Sequence, residues 1–206
     1  INNLKLLSKT DFEDAIGFKL GKKNILVTFH PVTLEKGTSK IQFNELLKSI
    51  TELKNTKIIF TKTNSDPGGA IINQMIDEFS SKNVNSVSFK SMGQINYLSA
   101  LQYIDGVVGN SSSGLIEAPS FKIGTIDIGD RQKGRIKAKS IINCLPNKYE
   151  ISNAFKRLYS DDFKKIISKV QNPYDRGSAS QKIIDIIKKT DLNNILKKSF
   201  YDIPNR

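Results

Sequence analysis

The chain has no tryptophan, one cysteine and one histidine in 206 residues. A single cysteine, Cys144, rules out an internal disulfide and reads as a buried thiol in a reducing compartment. One histidine and one cysteine cannot hold zinc without several carboxylates, and His30 lies too far from Cys144 in sequence to suggest a Cys–His nucleophile. No apolar run nears the length of a membrane span and no signal peptide is present, so a cytoplasmic protein without membrane contact is expected. No Gly-x-Gly-x-x-Gly follows a strand, which argues against a dinucleotide site. Gly109 to Gly114 has P-loop spacing, but Leu115 and Ile116 stand where Lys and Ser or Thr are needed, which argues against ATP hydrolysis. No cofactor is implied. Acidic residues are outnumbered 20 to 32 by Lys plus Arg, leaving a net charge of +12 that favours anionic partners. The lysines are scattered, with few aromatics among them and no RNA-binding or zinc-finger signature, so nucleic acid is not the expected partner.

What is present is a regular alternation of strand and helix patterns. Ile25 to Phe29 reads as an apolar strand, followed by an amphipathic helix through Phe43, Leu46, Leu47, Ile50 and Leu53. Residues 57–61 and 70–79 repeat the unit, as do 84–89 with 94–103, and 106–109 with 112–121; residues 125–128 add a fifth strand. Pro119 has to kink or end its helix. Before this series, residues 1–22 read as a lead-in with a short helix near 11–18. The pattern predicts an α/β fold, a doubly wound parallel sheet with ligands at the carboxyl ends of its strands, over residues 23–190.

The most informative segment runs from Gly109 to Pro119, an apolar strand delivering three serines to a helix start. Ser111 or Ser112 can cap that helix, and free backbone N–H groups there suit a phosphate. Glu117 falls four residues after Ser113, on the same face, where a carboxylate can accept from sugar hydroxyls. His30, residues 61–64, Ser111 and residues 129–131 all follow predicted strands, so a parallel sheet gathers them along one edge. Each also has a plainer reading: His30 before Pro31 as a turn residue, Asn64 as support for the Asp66-Pro67-Gly68-Gly69 turn, Arg131 as an exposed arginine, and Tyr97 as a helix aromatic rather than a nucleobase platform. Against that, residues 129–135 pack Arg131, Lys133 and Arg135 around the flexible Gly129 and Gly134, and guanidinium forks suit a diphosphate.

At these residues the chain resembles the UDP-N-acetylglucosamine 2-epimerases, particularly the hydrolysing branch associated with sialic acid biosynthesis. The resemblance rests on Phe29-His30-Pro31-Val32-Thr33-Leu34-Glu35, on residues 109–120, and on residues 129–140, in that order. It implies a glycosyltransferase-B-type architecture of two Rossmann-like domains, of which this chain, beginning at Ile1, is expected to be the C-terminal one. It further implies that His30 faces the nucleotide sugar near its diphosphate as the catalytic residue of this half, and that Ser111 and Ser112 bind phosphate with Ser113 in the same loop. Glu117 would hold the ribose, Arg131 would neutralise the diphosphate, and Asn64 and Tyr97 would flank the nucleotide. Glu35 matches the first signature without an assigned role. Lys122 and Gly124 stand where the family commonly has Gly and Pro, and Asp127 where Asn is frequent.

The implied reaction removes the C2 proton with departure of UDP, then hydrates and inverts C2 to give N-acetylmannosamine and UDP. Its acid and base groups are expected chiefly in the missing N-terminal domain, so this half alone is expected to bind UDP or UDP-N-acetylglucosamine weakly and to turn nothing over. The serine loop favours the hydrolysing branch over the non-hydrolysing one, which commonly has an Asp-Ser-Gly-Gly-like loop there. A bacillosamine-type sugar is a further possibility for the substrate. The rival readings are the donor half of a glycosyltransferase and a polyanion-binding module. In the tail, Leu192, Ile195, Leu196 and Phe200 follow helical spacing after a helix through Ile183, Ile184, Ile186 and Ile187. Residues 191–206 are expected to meet the missing domain, or here to be mobile, repacked or used to form a homodimer.

Overall fold

The computed structural model describes residues 4–32, 37–64, 68–175, 177, 179–193 and 195–197. The chain divides into two compact units, residues 1–174 and residues 175–206.

In the first unit six strands form one parallel sheet in the order β3-β2-β1-β4-β5-β6. They are β1 Lys23–Thr28, β2 Thr56–Thr61, β3 Ser86–Phe89, β4 Gly106–Gly109, β5 Gly124–Ile128 and β6 Ile141–Cys144. The helices are α1 Lys9–Ile16, α2 Ser39–Thr51, α3 Gly69–Lys82, α4 Gly93–Ala100, α5 Ser113–Ile116, α6 Lys148–Leu158 and α7 Asp161–Ser168. Alternate strand residues point to opposite faces, and here both sets are apolar because both faces are covered. Ile25, Val27, Ile58, Phe60, Val108, Ile126 and Ile128 share one core with Phe43, Leu46 and Ile50 of α2 and with Ile151 and Phe155 of α6. Leu26, Ile59 and Val107, the residues between them, join Phe12 and Ile16 of α1 and Leu98 and Ala100 of α4 in a second core. The lead-in helix is therefore part of this body. Ser8 caps it by accepting from the Asp11 N–H, and Gly17 ends it at φ 62°.

Two elements depart from the sequence expectation. The helix foreseen over 112–121 is a single α turn, α5, followed by a 3₁₀ turn at Ala118–Phe121, because Pro119 lacks the N–H an α-helix needs and Lys122 turns left-handed at φ 54°. A sixth strand, β6, carries the sheet one step beyond Ile128, with Ile126 paired to Ile142. α6 and α7 follow it, capped by Asn147 and Ser160, which accept from the N–H groups of Glu150 and Phe163.

The second unit contains α8, Ala179–Lys189, none of whose residues is buried. Ile183, Ile184, Ile186 and Ile187 are all exposed along it, as are Leu192, Ile195 and Leu196 beyond it. The boundary between the units falls after Tyr174, ahead of α8. Phe200 and the rest of 198–206 lie outside the described residues, so the expectation for the tail as a whole does too.

Candidate functional site

Strand order reverses direction between β1 and β4, since the chain winds outward to β3 on one side and to β6 on the other. In such sheets the loops after the two central strands diverge and leave a crevice at their carboxyl ends. His30 follows β1 there, and the serine loop follows β4.

One buried residue, Asn110, joins three loops at this crevice. Its side-chain Oδ1 accepts from the His30 N–H at 2.7 Å, and its Nδ2 donates to the His30 carbonyl at 2.8 Å. Its own carbonyl accepts from Arg131 Nη1 at 3.1 Å and from Gln132 Nε2 at 2.7 Å. The loops after β1, β4 and β5 are thereby fixed to one another. Asn110 can reach this position because Gly109 stands at φ 133°, and a Cβ there would lie 2.0 Å from the Thr28 carbonyl oxygen. That same oxygen accepts the Asn110 N–H at 3.2 Å.

A line of hydroxyls runs beside this joint. The Thr61 and Thr28 hydroxyls are 2.5 Å apart, the Thr28 hydroxyl also acts on the Tyr97 phenol, Tyr97 and Ser113 are 2.5 Å apart, and Ser113 donates to Ser111 at 3.2 Å. Burial pushes the Tyr97 phenol up to about 12, so it stays a neutral donor or acceptor at physiological pH. Ser113 is thus occupied by Tyr97 and Ser111. Ser111 and Ser112 are half-buried, and among the described residues their backbone N–H groups donate to nothing, whereas those of Gly114 and Leu115 bond back to the Ser111 and Ser112 carbonyls. His30 is half-buried, with Nδ1 3.0 Å from Thr63 Oγ1. Arg131 is exposed, its guanidinium tethered at one nitrogen and able to offer the others to a ligand.

A groove of about 400 Å³ adjoins the hydroxyl line, lined by Thr61, Lys90, Met92, Gln94, Tyr97 and Glu117 among others. Glu117 is half-buried there, and burial raises its carboxyl above the ordinary value. The groove therefore places an aromatic ring and a carboxyl group beside the serine loop, in a space within the size range of small-molecule sites. A second cleft, of about 570 Å³, is lined by Lys137, Lys139, Lys165 and Lys169 and shares no residue with this groove.

Of the residues singled out from sequence, His30, Ser111 and Arg131 meet around Asn110, while Tyr97 and Glu117 line the adjoining groove and Ser113 bonds Tyr97. Ser112 is the residue before α5 but makes no side-chain cap. Asn64 is exposed after β2. The backbone beside it is held by Asn73, which accepts from the Thr63 N–H at 2.9 Å and donates to the Thr63 carbonyl. Glu35 lies outside the described residues. Asn110, Gln132 and Thr28 were not singled out, since their contacts are to residues up to 80 positions away, whereas Thr63 fell within the 61–64 stretch expected along this edge. The one local signal was a polar pair, Asn110 and Gln132, placed just past apolar strands. Asp127, on β5, is buried and bonds Lys137 Nζ at 2.7 Å, and burial still raises its carboxyl.

The fold and crevice define a doubly wound α/β domain with serine amides and a guanidinium gathered at its switch point. Its relatives make the class specific. The profile of the UDP-N-acetylglucosamine 2-epimerase family matches residues 1–188, and the chain belongs to that family. It is 40% identical over 205 residues to the hydrolysing GDP/UDP-N,N'-diacetylbacillosamine 2-epimerase of Campylobacter jejuni, covering 98% of this chain and 53% of that protein. It is 37% identical over 204 residues to polysialic acid biosynthesis protein P7 of Escherichia coli, covering 98% and 52%. The chain thus spans about half the length of these relatives. The fold also matches that of the S. aureus MnaA structure solved with UDP, with a TM-score of 0.67 at 20% identity over 97% of this chain and 52% of the other.

Proposed function

We propose that this chain is the UDP-binding half of a hydrolysing 2-epimerase that converts a UDP-N-acetylglucosamine-type sugar nucleotide to the free C2 epimer and UDP. The observation that carries the reading is the meeting of His30, Ser111 and Arg131 around Asn110, beside a groove holding Tyr97 and Glu117. The diphosphate lies across the Ser111 and Ser112 amides with Arg131 opposite, the ribose hydroxyls reach Glu117, and the base packs along Tyr97 in the groove. Asn64 flanks the nucleotide from the β2 side.

In the reaction, the C2–H and C1–O bonds break, the proton goes to a base in the other half of the protein, and the electron pair of C1–O leaves with UDP. The product is a glycal. Water then adds across C1 and C2, hydroxyl to C1 and proton to C2 on the opposite face. The burden on this half is the negative charge gathering on the departing diphosphate, which Arg131, the serine amides and His30 meet electrostatically. Because the remaining acid and base groups are elsewhere, this half binds and does not turn over. The sugar is N-acetylglucosamine or the diacetylated 4-amino sugar named for the Campylobacter relative, and the end use is a sialic-acid-like sugar. The exposed isoleucines of α8 are the surface for the remaining half or for a second copy.

The test uses the protein in its longest form with each UDP-sugar, following products by proton NMR. Free C2-epimerised sugar with UDP, formed without an acceptor, is the expected result. A UDP-linked epimer would place it in the non-hydrolysing branch, and UDP release that requires an acceptor would make it a glycosyltransferase.

A further inference from the structure

We propose that Asn172 is a positioning residue for the ribose contact, holding the turn that carries Glu117. This rests on reading Glu117 as the partner of the ribose hydroxyls. Glu117 stands at the junction between α5, which ends at Ile116, and the 3₁₀ turn Ala118–Phe121. Such a junction frees carbonyls, because the α-helical bonds stop before the tighter ones begin. Pro119 has no N–H to give back to the helix, and the Ser120 N–H bonds the Glu117 carbonyl at 3.0 Å.

Asn172 supplies what the junction lacks. Its Nδ2 donates to the Ile116 carbonyl at 2.7 Å and to Ser120 Oγ at 2.7 Å, one hydrogen to each side of Glu117. Its Oδ1 accepts from the Tyr174 N–H at 2.9 Å, an Asx turn that fixes the amide from behind. The Tyr174 hydroxyl in turn donates to the Ile136 carbonyl at 3.0 Å, in the loop that also bears Arg131.

The clasp closes on the residues either side of Glu117 and not on its carboxyl group, so it sets where that group points and leaves it to a ligand. A single helical turn cannot hold its own shape, and α5 is no longer than that. Ser111, ahead of α5, is held from elsewhere, by the bonds of Asn110 to His30 and of Ser113 to Tyr97. Loss of Asn172 should therefore disturb the ribose end of a bound nucleotide and spare the diphosphate end.

The experiment titrates UDP and 2′,3′-dideoxy-UDP into the 206-residue chain and its variants, with thermal unfolding recorded for each. The analogue keeps the base and the diphosphate but lacks both ribose hydroxyls. The parent is expected to favour UDP about fivefold, and Asn172→Ala to lose about that factor for UDP while binding the analogue as the parent does. In a Glu117→Gln background, Asn172→Ala is expected to cost no further affinity, because both changes remove the same contact. Ser120→Ala keeps Asn172 and opens one side only. It is expected to lose about twofold of the preference, and it carries the test if the Asn172 variant does not fold. An equal loss for both ligands, a parent-like preference in Asn172→Ala, or additive losses in the double variant would overturn the proposal. If Glu117→Gln alone keeps the parent's preference, it is the reading of Glu117 that has failed, and the proposal falls with it.

Discussion

The two edges of the sheet solve opposite problems with similar residues. At the amino edge, β4 and β5 begin with Gly106 and Gly124, and the space a side chain would take is filled by its neighbours. A Cβ on Gly124 would lie 2.4 Å from Leu158 Cδ1 and 2.8 Å from Phe163 Cε1. At the carboxyl edge, Gly109 ends β4 and lets polar backbone close on polar backbone, leaving hydroxyls, amides and a guanidinium turned toward a crevice. The first edge is sealed by apolar contact and carries stability. The second is held by hydrogen bonds among a few buried polar groups, and its outward-facing donors are those a ligand would use. Stability and binding are therefore separable, one to each edge.

The largest effect expected is at the sealed edge. Phe163→Ala empties a fully buried site under Gly124 and should cost about 3–5 kcal/mol of stability, read from urea unfolding, while the folded fraction keeps its affinity for UDP. A variant whose affinity fell in step would break the division. Next is Arg131→Ala at the open edge, where loss of a charge-assisted contact worth about 1.5–3 kcal/mol should weaken UDP roughly ten- to a hundredfold by calorimetry. Its unfolding midpoint should barely move, because the side chain is exposed.

Glu117→Gln sharpens the comparison, since that carboxylate is half-buried at the binding edge. Burial raises its pKa above 4.5, so the folded chain holds the proton more tightly than the unfolded chain does. The stability contributed by the protonated form is present below 4.5 and is lost as pH rises through the folded value. The glutamine variant stays neutral throughout, so it should unfold later than the parent at neutral pH and together with it in acid, while binding UDP about 1 kcal/mol more weakly. The smallest effect belongs to Tyr97→Phe. It removes the hydroxyl facing Ser113, which still has Ser111 as a partner, and should cost about 0.5–1.5 kcal/mol in stability while UDP affinity stays unchanged by calorimetry.

The sheet was legible in the sequence because its strands are apolar at successive positions, as strands covered on both faces must be, with helical periodicity between them. Residues 106–109 were placed to the residue. β6 was not, since only Ile141 and Ile142 of its four residues are buried and it follows a long polar loop. The break in the helix after Ile116 was foreshadowed by Pro119, whereas the left-handed turn at Lys122 has no signature in a lysine. At the site, residue types with chemistry of their own stood out: the serines, Glu117, His30 and Arg131. Asn110 did not, because its weight comes from the His30 peptide 80 positions away and from a loop 21 and 22 positions onward. Local pattern reports what a side chain can do, and only the assembled sheet reports what it is placed against.

The most direct test of the central claim is calorimetric titration of UDP into the chain and into the double variant Ser111→Ala with Arg131→Ala, at low salt. Saturable one-to-one binding by the parent, weakened at least about tenfold in the double variant with the fold intact, is the predicted result. No binding by the parent, or equal binding by both, would contradict it.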